Sequence, residues 1–252
     1  MKYTSQKTYF DQNHQKIDIV FVPLKFSLTS KKIRHQFIKL LPQNKSIADL
    51  GCGSGGNALI FHQINPKIFY TGIDISTEAI NKAKTNNQNP NVHFQIADLN
   101  KTKLPKNHFS LIFCSQLLEH LKNSRQFLIN TFKSLQPNGY LVLSTVYKKN
   151  NAKYIYKNIN GKYALAPDHI NEYSNTSSLL NQLKQCGFKI IDYDLSLFRY
   201  PIIDTFLKFL MAHFQNKLVF KLVNSPLIMF FRYYLSIPIF GFYNFQIIAK
   251  KE

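Results

Sequence analysis

Ile47-Ala48-Asp49-Leu50-Gly51-Cys52-Gly53-Ser54-Gly55-Gly56 sets an apolar strand end, an acid and closely spaced glycines directly before a helical pattern. Glycine accepts positive φ and lets a ligand approach the main chain with no Cβ in the way, so Gly51, Gly53 and Gly55 suit a loop around a nucleoside cofactor. An ordinary glycine-rich turn would show the same letters, and a lone Gly-x-Gly-x-Gly does not separate the two. The decision falls to the residues that follow at βαβ distances.

Ala58, Leu59, Phe61, His62 and Ile64 carry a helix that Pro66 stops, and Ile68-Phe69-Tyr70-Thr71-Gly72-Ile73-Asp74 reads as a buried strand ending in an acid. Asp74 lies about 20 residues beyond the glycines. At that offset a doubly wound sheet brings an acid into the crevice of the glycine loop, where it can accept from ribose hydroxyls. The competing reading is Asp74 as N-cap of a helix over 77–84, for which Ser76 is the better candidate. A third strand over 92–97 ends at Asp98, and a polar loop over 101–108 leads to a fourth strand over 109–115. The helix over 124–135 meets Pro137-Asn138-Gly139, a stop signal, and Tyr140 to Val146 make the fifth strand. Gly187-Phe188-Lys189-Ile190-Ile191-Asp192-Tyr193 begins a sixth and 242–249 the seventh. Strands alternating with helices at this spacing predict an α/β fold, a parallel sheet with helices on both faces.

Upstream of the loop, residues 1–25 mix Tyr3, Tyr9, Phe10 and an apolar run around Pro23 without a dependable period, which reads as a lid segment. From Ser27 or Ser30 onward, Ile33, Phe37, Leu40 and Leu41 recur at helical spacing with lysines and Arg34 between them. That amphipathic helix ends near Pro42 and should pack beside the first strand. The expected organisation is a lid and helix over 1–45 and a sheet domain over 46–252.

The 252 residues are ample for a buried core. Lys plus Arg total 32 against 13 acids, a formal charge of +19, which favours a polyanionic partner such as RNA or an acidic membrane surface. The excess is almost all lysine, spread along the chain with no block of like charges, so a biased composition explains it equally well. Cys52, Cys114 and Cys186 are odd in number and far apart, which points to neither a disulfide framework nor a zinc site and fits a reducing cytoplasm. The N-terminus has no apolar stretch behind its charge, which argues against a secretory signal.

Five ordered pieces resemble the class I S-adenosylmethionine-dependent methyltransferases, in particular the group of ubiquinone-biosynthesis methyltransferases. They are Asp49-Leu50-Gly51-Cys52-Gly53-Ser54-Gly55, Gly72-Ile73-Asp74-Ile75-Ser76, Ala97-Asp98-Leu99, Leu118-Glu119-His120 and Leu135-Gln136-Pro137-Asn138-Gly139-Tyr140. The resemblance implies a seven-stranded Rossmann-like sheet of order 3-2-1-4-5-7-6 and S-adenosyl-L-methionine as cofactor. It implies that Gly51, Cys52, Gly53 and Gly55 border the methionine part, that Asp49 faces its ammonium indirectly, and that Asp74 takes the ribose. Ile75 and Leu99 would sandwich the adenine, Asp98 would accept from its amino group, and Ser115 would complete the site; Asp98 as a plain loop acid is the alternative. Three acids suit a cofactor with a cationic sulfur better than a pyrophosphate, which they would repel. The chain departs from the family at Phe109-Ser110, where Phe-Asp is usual, which leaves open a non-catalytic cofactor-binding subunit.

Methyl transfer to a hydroxyl needs alignment and a proton acceptor. Gln116, Glu119 and His120, at i, i+3 and i+4, share one side if they form a helical turn beyond the fourth strand. In related ubiquinone-pathway enzymes an acid stands at Gln116 and completes a divalent metal site; an amide is a poorer ligand, so no metal is expected. Glu119 and His120 then serve as catalytic candidates or only orient the loop. After a polar excursion over 148–162, Ala166-Pro167-Asp168-His169-Ile170-Asn171-Glu172-Tyr173-Ser174 resembles the family segment that lines the acceptor pocket. His169 is the preferred base there and Tyr173 a positioning group, with a His that braces the following helix as the alternative.

Between the sixth and seventh strands the family has a short hairpin, whereas here an apolar, aromatic helical insert over 198–241 intervenes. Asp204, Lys208, Lys217, Lys221 and Arg232 interrupt every run that would otherwise span a bilayer. Interfacial or lid helices are therefore expected, with a small-molecule, hydrophobic or lipid-linked acceptor and peripheral contact with the inner face of an anionic membrane through 200–240. A cover for the sheet edge or a dimer contact is the alternative. An RNA or protein acceptor is the weaker expectation, because Ser115-Gln116-Leu117-Leu118 is unlike an amino-methylating motif and no RNA-binding module is appended.

Overall fold

The computed structural model describes residues 5–16, 24–150, 152, 156–158, 162–214, 222 and 225–252. The expectations for Tyr3, for 17–23, for Lys217 and Lys221, and for parts of the polar excursion lie outside these residues. Seven strands form one sheet, β1 (Ser46–Leu50), β2 (Phe69–Asp74), β3 (Val92–Ile96), β4 (Phe109–Ser115), β5 (Leu135–Lys148), β8 (Phe188–Pro201) and β9 (Ser236–Lys251). Tyr156–Lys157, β6, inside the polar excursion, and Tyr163–Ala164, β7, just beyond it, pair separately and antiparallel.

The order is β3-β2-β1-β4-β5-β9-β8, which is the expected 3-2-1-4-5-7-6 when only the strands of this sheet are counted. The first five strands run parallel, while β9 is antiparallel to both β5 and β8. Central strands buried on both faces need continuous apolar runs. Leu111, Ile112, Phe113 and Cys114 on β4 are all wholly buried. One face packs on α6 (Ser124–Ser134) and α7 (Thr176–Gln185) through residues such as Leu128 and Leu183. The other packs on α3 (Lys31–Leu40) and α4 (Gly56–Ile64), where the rings of Phe37, Phe61 and Phe113 meet with centroids 5.2 to 5.4 Å apart. Ser110, in place of the family's acid, uses its hydroxyl to bridge β4 to β1, donating to the Ser46 carbonyl at 2.9 Å.

The amphipathic helix begins where its cap dictates, with Ser30 Oγ accepting from Ile33 N. Before it lie α1 (Gln6–Lys16) and the single turn α2 (Leu24–Ser27). The glycine loop follows β1, and α5 (Thr77–Asn86) follows β2 with Ser76, rather than Asp74, as its N-cap. The insert is shorter than its predicted 198–241, because β8 and β9 extend as a twisted antiparallel arm out to the pair Pro201 and Ser236. At its tip, α8 (Ile203–His213) and α9 (Pro226–Tyr234) are joined by a buried, bidentate ion pair, Arg232 Nε to Asp204 Oδ1 at 2.5 Å and Nη2 to Oδ2 at 2.9 Å. No helix among the described residues is long and apolar enough to cross a membrane. All three cysteines are free.

Candidate active site

The loop after β1 is built by its glycines. Gly51 and Gly53 hold φ at +78° and +52°, which L side chains rarely adopt, and both line a cleft with Asp74, Ile75, Asp98, Leu99, Gln116 and His120. Gly51 N donates to the Ile73 carbonyl at 2.8 Å and Gly53 N to Asp74 Oδ2 at 2.8 Å, so the loop is tied to the end of β2. The other Asp74 oxygen accepts from Ser76 N at 2.9 Å. Each carboxylate oxygen keeps a lone pair for a vicinal diol. Asp98 Oδ1 accepts from the backbone and side-chain nitrogens of Asn100 at 3.0 and 3.1 Å, which orients its carboxylate at the other end of the same cleft.

Four residues expected at the cofactor lie behind the cleft wall. Asp49 is buried, and its Oδ2 accepts from Tyr70 OH at 2.6 Å and Asn57 Nδ2 at 3.0 Å. Burial outweighs these bonds and pushes its pKa up to about 6, with repulsion from Asp74 adding to the rise. Cys52 contributes its backbone, N to the Ile73 carbonyl at 3.1 Å, while its thiol packs inward and burial raises its pKa. Gly55 serves packing: a Cβ there would stand 2.7 Å from Phe94 Cζ and 2.9 Å from Ala83 Cβ. Ser115 turns its hydroxyl to Ser144 Oγ at 2.9 Å.

The turn after β4 differs from the single helical turn expected of 116–120. Gln116 takes a left-handed φ of +53°, and Leu118–His120 form a 3-10 turn. Gln116 and His120 therefore line the cleft, whereas Glu119 is turned into the core, where its Oε2 accepts from Thr145 Oγ1 at 2.8 Å and its Oε1 has no partner. The Glu119 carbonyl accepts from both Ile170 N and Asn171 N, at 2.7 and 3.0 Å. That anchor carries Asp168 and His169 up to the turn. His120 Nδ1 lies 3.1 Å from Asp168 Oδ2, and the His120 and His169 rings stand 5.0 Å apart. Burial acts to lower the pKa of His120, but the bond to Asp168 and the Glu119 charge outweigh it and leave it raised; Asp168 is held below its ordinary value against its own burial by the same bond.

His169, the preferred base on sequence grounds, sits behind His120. Its Nδ1 is 2.8 Å from Glu172 Oε1, and it lines a different cavity together with Tyr173. The open position on the cleft belongs to His120. Glu119, His120 and His169 bring ligand atoms within 4.8 Å of one another, a spacing that could hold a cation. The family's metal set, however, needs an acid where Gln116 stands. Gln116 Nε2 reaches Ser144 Oγ at 3.5 Å and the residue is outside this group, so the family's set does not fit here.

The lid segment expected over 1–25 includes a helix, α1, which roofs the cleft and whose lining side chains the sequence did not single out as site residues. From α1, Gln6, Phe10 and His14 line the cleft; Gln6 Nε2 donates to the His120 carbonyl at 2.6 Å and the Phe10 ring stands edge-on to His120 at 5.3 Å. Asp11 Oδ1 accepts from Ser76 Oγ at 2.8 Å, which pins the helix to the cap of α5. An aperiodic polar helix of this kind carries no amphipathic signal. Under this roof the cleft measures about 170 Å³ and opens past Ile75 and Asp98 into a groove of about 730 Å³.

Fold and site together define a doubly wound α/β protein with a nucleoside-cofactor cleft at the carboxyl ends of its strands. A family model for a methyltransferase domain matches residues 26–193, two thirds of the chain. The ubiquinone biosynthesis O-methyltransferase of Coxiella burnetii (strain Dugway 5J108-111) is 28% identical over 159 residues, 60% of this chain and 66% of that relative. The chain thus spans just under two thirds of that relative's length. The malonyl-[acyl-carrier protein] O-methyltransferase of Bacillus cereus is 28% identical over 127 residues, 48% of this chain and 47% of that relative. A solved S-adenosylmethionine-dependent methyltransferase from Mesorhizobium loti has a TM-score of 0.57 at 17% identity, covering 87% of this chain and 98% of that one, a likeness of fold alone. The chain belongs to the class I S-adenosylmethionine-dependent methyltransferases. The chemistry of the cleft suits that family's donor: backbone without Cβ at Gly51 and Gly53, and two carboxylates, Asp74 and Asp98, able to accept hydrogen bonds.

Proposed function

We propose that this chain transfers the methyl group of S-adenosylmethionine to an oxygen of a hydrophobic or lipid-linked small molecule at a membrane surface. The observation that carries the reading is the convergence of Gly51, Gly53, Asp74 and Asp98 with His120 in one cleft. The donor supplies an electrophilic methyl on a cationic sulfur. Gly51 and Gly53 hold its amino-acid end, Asp49 neutralises that end from behind, Asp74 binds the diol, and Asp98 with Ile75 and Leu99 holds the base. His120 takes the acceptor's hydroxyl proton on Nε2, because Nδ1 is engaged by Asp168 and fixes the ring. Glu119 and His169 support that ring from behind, and Tyr173 positions the segment that carries Asp168.

Residues 1–45 act in this reading as a lid and helix on the sheet domain, with α1 lifting to admit the donor. The cleft alone, about 170 Å³, is below the ~300–1,000 Å³ usual for ligand pockets, which supports a shift of the roof as the donor enters. The membrane contact rests on the tip of the β8–β9 arm. There Phe206, Phe209, Leu227 and Phe230 on α8 and α9 are each more than half exposed, and Phe240 nearby is 82% exposed. Such an apolar patch on a protein of formal charge +19 suits an anionic bilayer surface.

The test is transfer of labelled methyl from the donor into fractionated cell extract by the full chain. Label in the organic phase is expected. Label in RNA or protein would replace the acceptor class, and no label despite donor binding would favour a non-catalytic subunit.

A further inference from the structure

The geometry points to a second ligand site, for a hydrophilic anion, in the cavity behind the His120 and His169 pair. This cavity of about 680 Å³ shares no lining residue with the donor cleft or its groove. Its volume is within the ~300–1,000 Å³ range of small-molecule sites. Three cations from separate elements meet on it: Arg125 from the first turn of α6, Lys148 from the end of β5 and Lys162 from the loop before β7. Arg125 and Lys162 make no ion pair among the described residues.

Among the described lining residues Glu172 is the one carboxylate, and it is already committed. Its Oε1 accepts from Leu165 N at 2.8 Å and lies 2.8 Å from His169 Nδ1, with the side chain only 6% exposed. Arg125 and Lys162 therefore face, among the described lining residues, a wall with no uncommitted acid. The rest of the lining is mostly amide and hydroxyl, including Asn181 and Gln182 of α7, with Ala164 and Ile170 as its aliphatic members. Such a surface rejects a hydrocarbon tail and can hydrogen-bond a carboxylate or phosphate that also bears hydroxyls. His169 forms part of this wall while its ring contacts His120, so an occupant would touch the residue that backs the cleft.

This inference does not depend on the identity of the methyl acceptor. The anionic group arrives either on the acceptor itself or on a separate small molecule; the chemistry required of it is the same.

The probe is inorganic phosphate, titrated into the full chain by calorimetry at constant ionic strength against chloride, with donor binding measured on the same preparations. Saturable binding is expected, weakened about tenfold or more in Arg125→Ala/Lys162→Ala, as the loss of charge-assisted bonds requires, with donor affinity unchanged. Lys39→Ala/Lys67→Ala, which removes two exposed charges elsewhere, should bind phosphate as the wild type does. A response that does not saturate, or one lost equally in both double variants, would reduce the effect to net charge and overturn the site. In methyl transfer to extract, inhibition by phosphate that more extract overcomes assigns the group to the acceptor, and a change in the saturated rate assigns it to a separate ligand. Because donor affinity is read in parallel, failure of this site and failure of the methyltransferase reading remain separate results.

Discussion

His120 Nδ1 stands 3.1 Å from the carboxylate of Asp168, a residue 48 positions away, and both side chains are largely buried. Burial opposes the imidazolium, while Asp168 and Glu119 stabilise it and prevail. The proton acceptor is therefore expected to lose its proton above the ordinary histidine value of ~6.5, and methyl transfer should rise with pH through that higher midpoint. Asp168→Asn removes the charge that holds the proton. Its pH–rate midpoint should move down and its maximal rate fall by about tenfold or more, read from kcat/KM profiles. An unshifted midpoint would detach Asp168 from the base.

Asp49 presents the opposite case, a carboxylate whose pKa burial raises to about 6. Between the unfolded value of about 3.9 and about 6, the folded chain binds more protons than the unfolded one. Stability contributed by this group is thus present at low pH and lost as pH rises through that window, with a ceiling of about 3 kcal/mol. Asp49→Asn should flatten the corresponding part of the difference between the two stability curves, measured by urea unfolding from pH 4.5 to 7. It should also weaken donor binding by about tenfold, since a buried charge near the donor's cation is removed.

Two glycines of one loop should respond differently to alanine. At Gly55 the new methyl meets Phe94 Cζ at 2.7 Å and the backbone holds φ at +79°, so Gly55→Ala should cost about 2–4 kcal/mol of stability. At Gly53 the nearest atom is His14 Cε1 at 3.8 Å, so the fold loses only about 1 kcal/mol from the backbone. The larger effect of Gly53→Ala should appear in donor affinity. Thermal denaturation and calorimetry on both variants separate the two roles.

The exposed aromatics of α8 and α9 lie on an element far along the β8–β9 arm from the donor loop. Phe206→Asp/Phe230→Asp should abolish co-sedimentation with vesicles containing anionic lipid while leaving donor affinity within about twofold. Wild-type binding should also weaken as salt rises, because part of it is electrostatic. Equal failure of wild type and variant to bind such vesicles would remove the membrane from the account.

Much of the cleft was legible because it depends on local letters at fixed offsets. Gly51, Gly53, Asp74 and Asp98 end strands whose apolar runs are plain, and parallel topology places strand ends on one edge. The surroundings of His120 were harder to read. Asp168 and His169 are adjacent in sequence, but which of them bonds the His120 ring nitrogen depends on the Glu119 carbonyl anchoring 170–171, a contact no periodicity reports. The left-handed Gln116 likewise hides in a chain where glycine or asparagine would announce such a turn. The long arm beneath the insert was missed because Ser196 to Pro201 and Ser236 to Gly241 alternate weakly and carry prolines, which argue against strand except near an edge.

We propose that the cleft under α1 holds the methyl donor and that His120 accepts the acceptor's proton there. Single-turnover methyl transfer into organic-phase extract, run in EDTA with wild type and His120→Ala alongside donor Kd, tests it most directly. Transfer by the wild type despite chelation is expected, with a loss of at least about 10²-fold in the variant and donor Kd unchanged. Equal rates in the two proteins, or wild-type transfer that vanishes in EDTA and returns with Mg²⁺, would contradict it.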